Sequence, residues 1–219
     1  MSYKTTDMIR CPKCQNSNNV TIWGIVNRDV NTVTTNKIMN GTFFEHKCPT
    51  CGAVYQITYP TLYEDNTHKA IICFEQTDVG LSEATSAVLE RRKKLSSDQH
   101  DYQIRIVSTP NAFREKARIF DKGLDDKIIE IMKIVLLEKL HQEHDTNGIN
   151  EVLCWVEDDG TFSMEMFGKK YGKVTVNQDF YNYISEKCSV FINEQDFDDV
   201  LIDLDWAINF LEKNNFICE

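Results

Sequence analysis

The tetrapeptide Cys-Pro-x-Cys occurs twice in this chain, as Cys11-Pro12-Lys13-Cys14 and as Cys48-Pro49-Thr50-Cys51. Proline at the second position enters a turn with its φ already fixed, so each copy suits a type I turn whose two thiols point to the same side. Two such turns brought face to face supply four thiolates, the closed coordination shell of a structural zinc. A fold that uses them must bring to one point two turns that are 33 residues apart, with residues 15 to 47 between them. The commonest spacing between such pairs is about 15 to 20 residues, so a segment is inserted between the halves.

The runs that follow each turn, Val20-Thr21-Ile22-Trp23-Gly24-Ile25-Val26 and Val54-Tyr55-Gln56-Ile57-Thr58-Tyr59, are β-branched and aromatic and read as strands. Strand, cysteine turn, strand, repeated, is the layout of a zinc ribbon. The polar stretch from Asn27 to Asn36 and the apolar Ile38-Met39 before Gly41 read as a loop with a short helix, and long insertions at a hairpin end cost little loop entropy. Ala70-Ile71-Ile72-Cys73-Phe74 reads as a third strand. Residues 82 to 95 are helix-prone, with Ser82 as the expected N-cap and Arg91-Arg92-Lys93-Lys94 as a basic last turn, read as a solvated helix end rather than an anion site. Tyr102 to Val107 alternates like a strand with one buried face. Ser108 or Thr109 before Pro110 opens a helix that Gly123 ends. Leu124, Ile128, Ile131, Met132, Val135, Leu136 and Leu140 then recur at helical spacing as a core stripe.

The net charge of −10 is unevenly placed. Residues 1 to 80 carry seven basic and seven acidic side chains and residues 81 to 145 twelve of each, whereas residues 146 to 219 carry five against fifteen. The shift supports a boundary near Asp145-Thr146-Asn147-Gly148, dividing the chain into residues 1–145 (a ribbon over 1–80, helices and a strand over 81–145) and an acidic segment over 146–219. Phosphate contacts need clustered positive charge, and neither part has an excess of it, which argues against a nucleic-acid partner. No apolar run approaches the roughly 20 residues that span a bilayer, and the first residues lack a signal peptide's apolar segment, so a cytoplasmic location is expected. Cys73, Cys154, Cys188 and Cys218 are scattered singly and read as reduced, with Cys73 and Cys154 in the core.

In the acidic segment, Val152 to Val156, Asp159-Gly160 and Phe162 to Met166 read as a hairpin with a type I′ turn. Asn177 is expected to cap a helix running to about Lys187. Val200-Leu201-Ile202 reads as a strand leading into a terminal helix. Two further clusters invite a metal. Asp196, Asp198, Asp199, Asp203 and Asp205 lack the glycine and terminal glutamate of an EF-hand loop and read as solvated surface. Glu138, His141 and His144 sit three apart, but a Glu-x-x-His element binds metal when several helices contribute one, and only one copy exists.

A four-thiolate zinc centre carries a formal −2 charge and needs amide N–H groups and nearby cations around it. Gly52 permits the left-handed turn that aims amides at sulfur, while Gln15 stands at the equivalent place in the first turn; Arg10, Lys13, His46 and Lys47 are the nearby cations, with His46 beside the ligands rather than among them. Iron is the alternative metal, since paired Cys-x-x-Cys turns also resemble rubredoxin. A thioredoxin-like dithiol is the other alternative, although Gln15-Asn16-Ser17-Asn18-Asn19 opens a helix poorly. With all four ligands from protein there is no open position for substrate, so the site is expected to be structural.

The two cysteine motifs with Gly52, the strand Tyr102-Gln-Ile-Arg-Ile-Val107 and the helix start Gly123-Leu-Asp-Asp126 together resemble the CpXC protein family of bacteria and archaea, over about residues 9 to 140. The resemblance implies a metal-binding module, with the metal on Cys11, Cys14, Cys48 and Cys51, and no established activity. It does not reach the acidic segment. The expectation is an α+β protein, a zinc-ribbon-like β module extended by a strand and helices and followed by a small acidic α/β segment. Its expected role is that of a zinc-binding, non-enzymatic protein acting through a protein partner. The competing readings are an enzyme with its site elsewhere, for which no nucleophile and base pair is visible, and a nucleic-acid-binding ribbon.

Overall fold

In a computed structural model, which describes residues 2–92, 102–143, 146–157, 159–193 and 199–215, the chain is mixed α and β and divides into two compact units, Met1–Ala117 and Arg118–Glu219. The packing division falls inside a helix, upstream of the charge break near Asp145. Asp145 itself, with His144, Lys93, Lys94, Asp196, Asp198 and Cys218, lies outside the described residues.

The first unit is organised by one long strand. β1 (Tyr3–Arg10) and β2 (Ser17–Asn27) form an antiparallel hairpin whose tip is the first cysteine turn. Only Ile25, Val26 and Asn27 of β2 continue into the main sheet, where they pair in parallel with Leu62, Tyr63 and Glu64 of β5 (Thr61–Asp65). The rest of β2 is a two-stranded arm with β1, and the arm carries the cysteines away from the sheet. β5 pairs antiparallel with β6 (Ala70–Phe74), and β6 pairs in parallel with β7 (Gln103–Val107), so the sheet runs β1-β2-β5-β6-β7.

A parallel pair cannot be joined by a tight turn; it needs a crossover of a dozen or more residues. This is the physical reason for the long spacer between the cysteine pairs. The crossover from β2 to β5 contains α1 (Thr32–Met39) and a small hairpin of β3 (Glu45–Lys47) and β4 (Val54–Gln56), and the second cysteine turn is that hairpin's tip. The expected short helix is thus present. The expected strand from Val54 to Tyr59 ends at Gln56. The crossover is pinned at Gly41, whose φ of +82° turns the chain out of α1, and by Arg114 Nε, which donates to the Met39 carbonyl at 3.0 Å. Phe43 and Phe44, just past that turn, meet Phe74 and Phe113 in a cluster of rings 4.7 to 6.1 Å apart.

The second crossover, β6 to β7, contains α2 (Asp78–Arg92). It opens earlier than Ser82 because Thr77 Oγ1 accepts from the Gly80 N–H at 3.0 Å and so takes the capping role. β7 is buried on both faces from Ile104 to Val107, against the one-sided alternation read from the sequence, and this includes the aliphatic stem of Arg105, whose Nη1 donates to the Ile104 carbonyl at 2.8 Å. α3 (Pro110–Asp121) begins as expected, with Thr109 Oγ1 accepting from Ala112 N–H at 3.0 Å. It ends at Gly123, φ +66°, where Gly123 and Leu124 N–H donate to the Phe120 and Ile119 carbonyls, a Schellman closure.

In the second unit α4 (Asp126–Glu143) is buried around its whole girth from Ile128 to Leu136, not along one stripe. Ile129 and Ile134 join the core, and the buried charges include Lys133 and Glu130, paired at 3.0 Å. An antiparallel sheet, order β10-β9-β8, consists of β8 (Ile149–Val156), β9 (Phe162–Gly168) and β10 (Gly172–Val176). The first hairpin closes over residues 157–161 rather than a two-residue type I′ turn, with Gly160 at φ +82° and Glu157 N–H donating to the Thr161 carbonyl at 2.9 Å. α5 (Gln178–Asn193) starts where Asn177 Oδ1 accepts from Phe180 N–H and continues past Lys187, since Cys188 and Ile192 are core residues. Residues 200–202 form no strand, correcting the one expected there, and lead through Asp203 into α6 (Leu204–Lys213). Ile119, Met132, Cys154, Phe162, Met164, Ile184 and Phe210 close this core.

Candidate metal centre

The two cysteine turns are built alike. Each is a six-residue loop between antiparallel strands, Cys11 to Asn16 and Cys48 to Ala53, in which the first cysteine's N–H donates to the last carbonyl (2.9 and 2.8 Å). In each, the first cysteine's carbonyl accepts from the fifth residue's N–H (3.0 Å from Gln15, 2.9 Å from Gly52). The fifth residue is left-handed in both, φ +73° at Gly52 and φ +62° at Gln15. Gln15 therefore does not distort the first turn; it adopts the glycine conformation, and its Nε2 donates to the Pro12 carbonyl at 3.0 Å.

All four sulfurs lie within 4.8 Å of one another, with Cys11 Sγ 3.8 Å from Cys51 Sγ and Cys14 Sγ 3.7 Å from Cys48 Sγ. A disulfide would be about 2.05 Å long. A tetrahedron of metal–sulfur bonds of about 2.3 Å has edges of roughly 3.8 Å, so the donor set fits a tetrahedral thiophilic ion. Cys11 and Cys48 are buried, Cys14 is half-buried and Cys51 is exposed, so the cluster presents one corner to solvent.

Sulfur charge is met first by amides. The Cys48 thiol is lowered from 9.0 to about 6: the Cys51 N–H lowers it most, burial opposes, and the Thr50 N–H and the neighbouring thiols complete the shift. At Cys14 the Asn16 N–H pulls the same way, but burial and the Cys51, Cys11 and Cys48 sulfurs outweigh it and the thiol rises to about 12. Asn18, buried on β2, adds a side-chain donor, Nδ2 to Cys48 Sγ at 3.5 Å. Asn18 was not among the residues singled out from the sequence; an asparagine in a polar Asn-Ser-Asn-Asn run gives no signal of burial.

His46 lies on the inner face of β3, opposite Tyr55, with the rings edge to face at 5.3 Å. Its Nε2 and the Tyr55 hydroxyl are buried without a hydrogen-bond partner, and His46 makes no bond to sulfur. Tyr55 feels the cluster: burial first, then the field of the four sulfurs, raises its phenol above the usual 10.0. Arg10, Lys13 and Lys47 stand exposed on the loop flanks. Neither cysteine turn opens a helix, which removes the structural basis of a thioredoxin-like dithiol.

The other sequence candidates separate. Glu138 and His141 are exposed, and His141 Nδ1 bonds to Thr146 Oγ1 at 2.7 Å. Asp203 caps α6, its Oδ1 accepting from Trp206 N–H at 2.9 Å, and Asp199 accepts from Trp206 Nε1 at 2.9 Å. Among the described residues the four cysteines are the one group that could hold a metal ion. Cys154 and Cys188 are buried core thiols, whereas Cys73 sits on the half-covered face of β6, where burial raises its thiol to about 11.

Two hairpin tips, one of them carried on a parallel crossover, thus bring four sulfurs together in a cluster that could hold a metal ion. The CpXC protein family matches residues 9–133, more than half of the sequence and both cysteine motifs, and the chain belongs to that family. No curated protein and no solved structure matches it.

Proposed function

We propose that Cys11, Cys14, Cys48 and Cys51 bind one zinc ion and that the ion is structural. The observation that carries this is the sulfur spacing: the two sulfur–sulfur distances of 3.8 and 3.7 Å match the edges of a tetrahedron with every corner occupied by protein, leaving no position for water or substrate. When bound, the metal cross-links the arm of β1 and β2 to the crossover hairpin of β3 and β4. Two-stranded hairpins are marginal by themselves, and β3 and β4 are three residues each, so the free energy of metal binding becomes folding free energy of this part of the chain. Sulfur geometry serves iron as well as zinc, and elemental analysis separates them. About one zinc per purified chain is expected; one iron per chain with visible absorption identifies the alternative, and a metal-free protein whose melting curve is indifferent to added zinc overturns the reading.

The protein's role, in this reading, is to present the surface that the metal holds in shape to a protein partner. Support comes from the closed shell and from β1, exposed almost throughout, with Tyr3 and Met8 turned to solvent. The charge balance speaks against nucleic acid, and no described helix is long and apolar enough to cross a membrane. Affinity purification with Cys48→Ser as the control tests it: a partner retained by the native chain and lost from the variant is expected.

A further inference from the structure

We propose that Asn18 is the positioning residue of the metal centre, a clasp that joins the two cysteine turns and holds the Cys48 sulfur toward the ion. The proposal rests on the metal reading above.

Every hydrogen-bonding site of this side chain but one acceptor lone pair is used, and the partners come from both halves. One amide proton goes to the Asn16 carbonyl at 3.1 Å, in the first turn. The same carbonyl accepts the Cys11 N–H that closes that turn. The other amide proton goes to Cys48 Sγ at 3.5 Å, in the second turn, and Asn18 Oδ1 accepts from Thr50 Oγ1 at 3.5 Å. Thr50 N–H in turn donates to Cys48 sulfur. The chemistry fixes which way the amide faces: reversed, its oxygen would meet a carbonyl oxygen and a thiolate, both electron-rich. Asn18 is 9% exposed, so these bonds work with little competition from water. Cys48 thus has N–H groups from Thr50, Cys51 and Asn18 at its sulfur, and of these three only Asn18 reaches it from the other hairpin, beside the Cys11 and Cys14 thiols.

Partners that orient a metal ligand typically change affinity by about 10- to 100-fold when removed. The test uses full-length, zinc-loaded protein and measures the rate of zinc transfer to excess chelator, the pH at which half the zinc is lost, and the spectrum of the Co²⁺-substituted form. Asn18→Asp is nearly isosteric but turns an oxygen and a negative charge on the thiolate; Asn18→Ala removes the clasp; Asn19→Ala, an exposed neighbour, is the control. Expected are one metal per chain in all variants, release faster by about 10- to 100-fold in Asn18→Ala and more in Asn18→Asp, a higher release pH in both, and native behaviour in Asn19→Ala. A side chain that only supports the fold would lower melting temperature without moving the cobalt spectrum or the release pH. Variants that load, fold and release zinc as the native chain does overturn the proposal. Should the Asn18 variants fail to fold, Thr50→Val carries the test, with release a few-fold faster expected and unchanged release overturning it. Native protein that takes up no metal overturns the metal reading itself, a different result.

Discussion

Gln15 and Gly52 hold equivalent places in the two turns and reach the same left-handed backbone at different cost. For a residue with a Cβ that conformation costs about 1–2 kcal/mol, and glycine avoids it. A Cβ at Gly52 would meet nothing within 4 Å, so Gly52→Ala isolates the backbone term and is expected to destabilise the metal-loaded protein by about 1 kcal/mol in urea unfolding. Gln15→Gly should move the other way by a smaller amount, because the bond to Pro12 is lost. The thiols carry a pH signature. With its folded value lowered from 9.0 to about 6, Cys48 adds stability to the metal-free chain above pH 9 that is lost as pH falls through 6. Cys14, raised to about 12, favours the fold below pH 9 and loses that contribution as pH rises toward 12. Melting temperature of the metal-free protein against pH should therefore peak between these limits; a flat profile would show that the thiols do not titrate as described. All four clustered cysteines were legible in the sequence because chemistry restricts such pairs to few uses. Asn18 was not, because its role depends on contacts with a hairpin 30 residues away.

Helices and hairpins were legible where a local signal sets them. Thr109-Pro110, Gly123 and Asn177 act as caps in the structure because their bonds reach only three or four residues along the chain. Ser82 misled because Thr77, five residues earlier, offers its own hydroxyl to the helix start. Parallel pairing left no such trace. β5 contains Glu64 and Asp65, which strands disfavour, and it is tolerated because the fully buried Asp65 carboxylate is bonded by Arg28 Nε at 3.3 Å and His68 Nδ1 at 2.7 Å. The acidic run before α6 illustrates the opposite case, a chemical suggestion that local structure absorbs. Asp203→Ala should cost about 1 kcal/mol as a lost helix cap, and millimolar Ca²⁺ should leave the melting temperature of the native chain unchanged; a calcium-dependent rise would restore the cation reading.

At the scale of the whole molecule, the cysteine cluster belongs to one unit and the apolar core around α4 to the other. A chelator should lower hydrogen-exchange protection at the tip of the β1–β2 arm and in β3 and β4 while the β2–β5 pairing, α4, β8 and β9 keep theirs; protection lost together in both units would show that the units fold as one. The parallel crossover also predicts an order of events for a chain that binds metal. Neither hairpin holds more than two sulfurs, and bringing the turns together early, before the sheet forms, would close a loop of 33 residues at roughly 4 kcal/mol of chain entropy. Once β2 lies beside β5 and the aromatic cluster has packed, that cost has been met and the ion finds its ligands already near one another. Metal uptake should then be fast and second-order in zinc for the folded, metal-free chain, but limited by a zinc-independent step when refolding starts from denaturant. Stopped-flow mixing from the two starting states distinguishes an ion that starts the fold from one that arrives last and locks it.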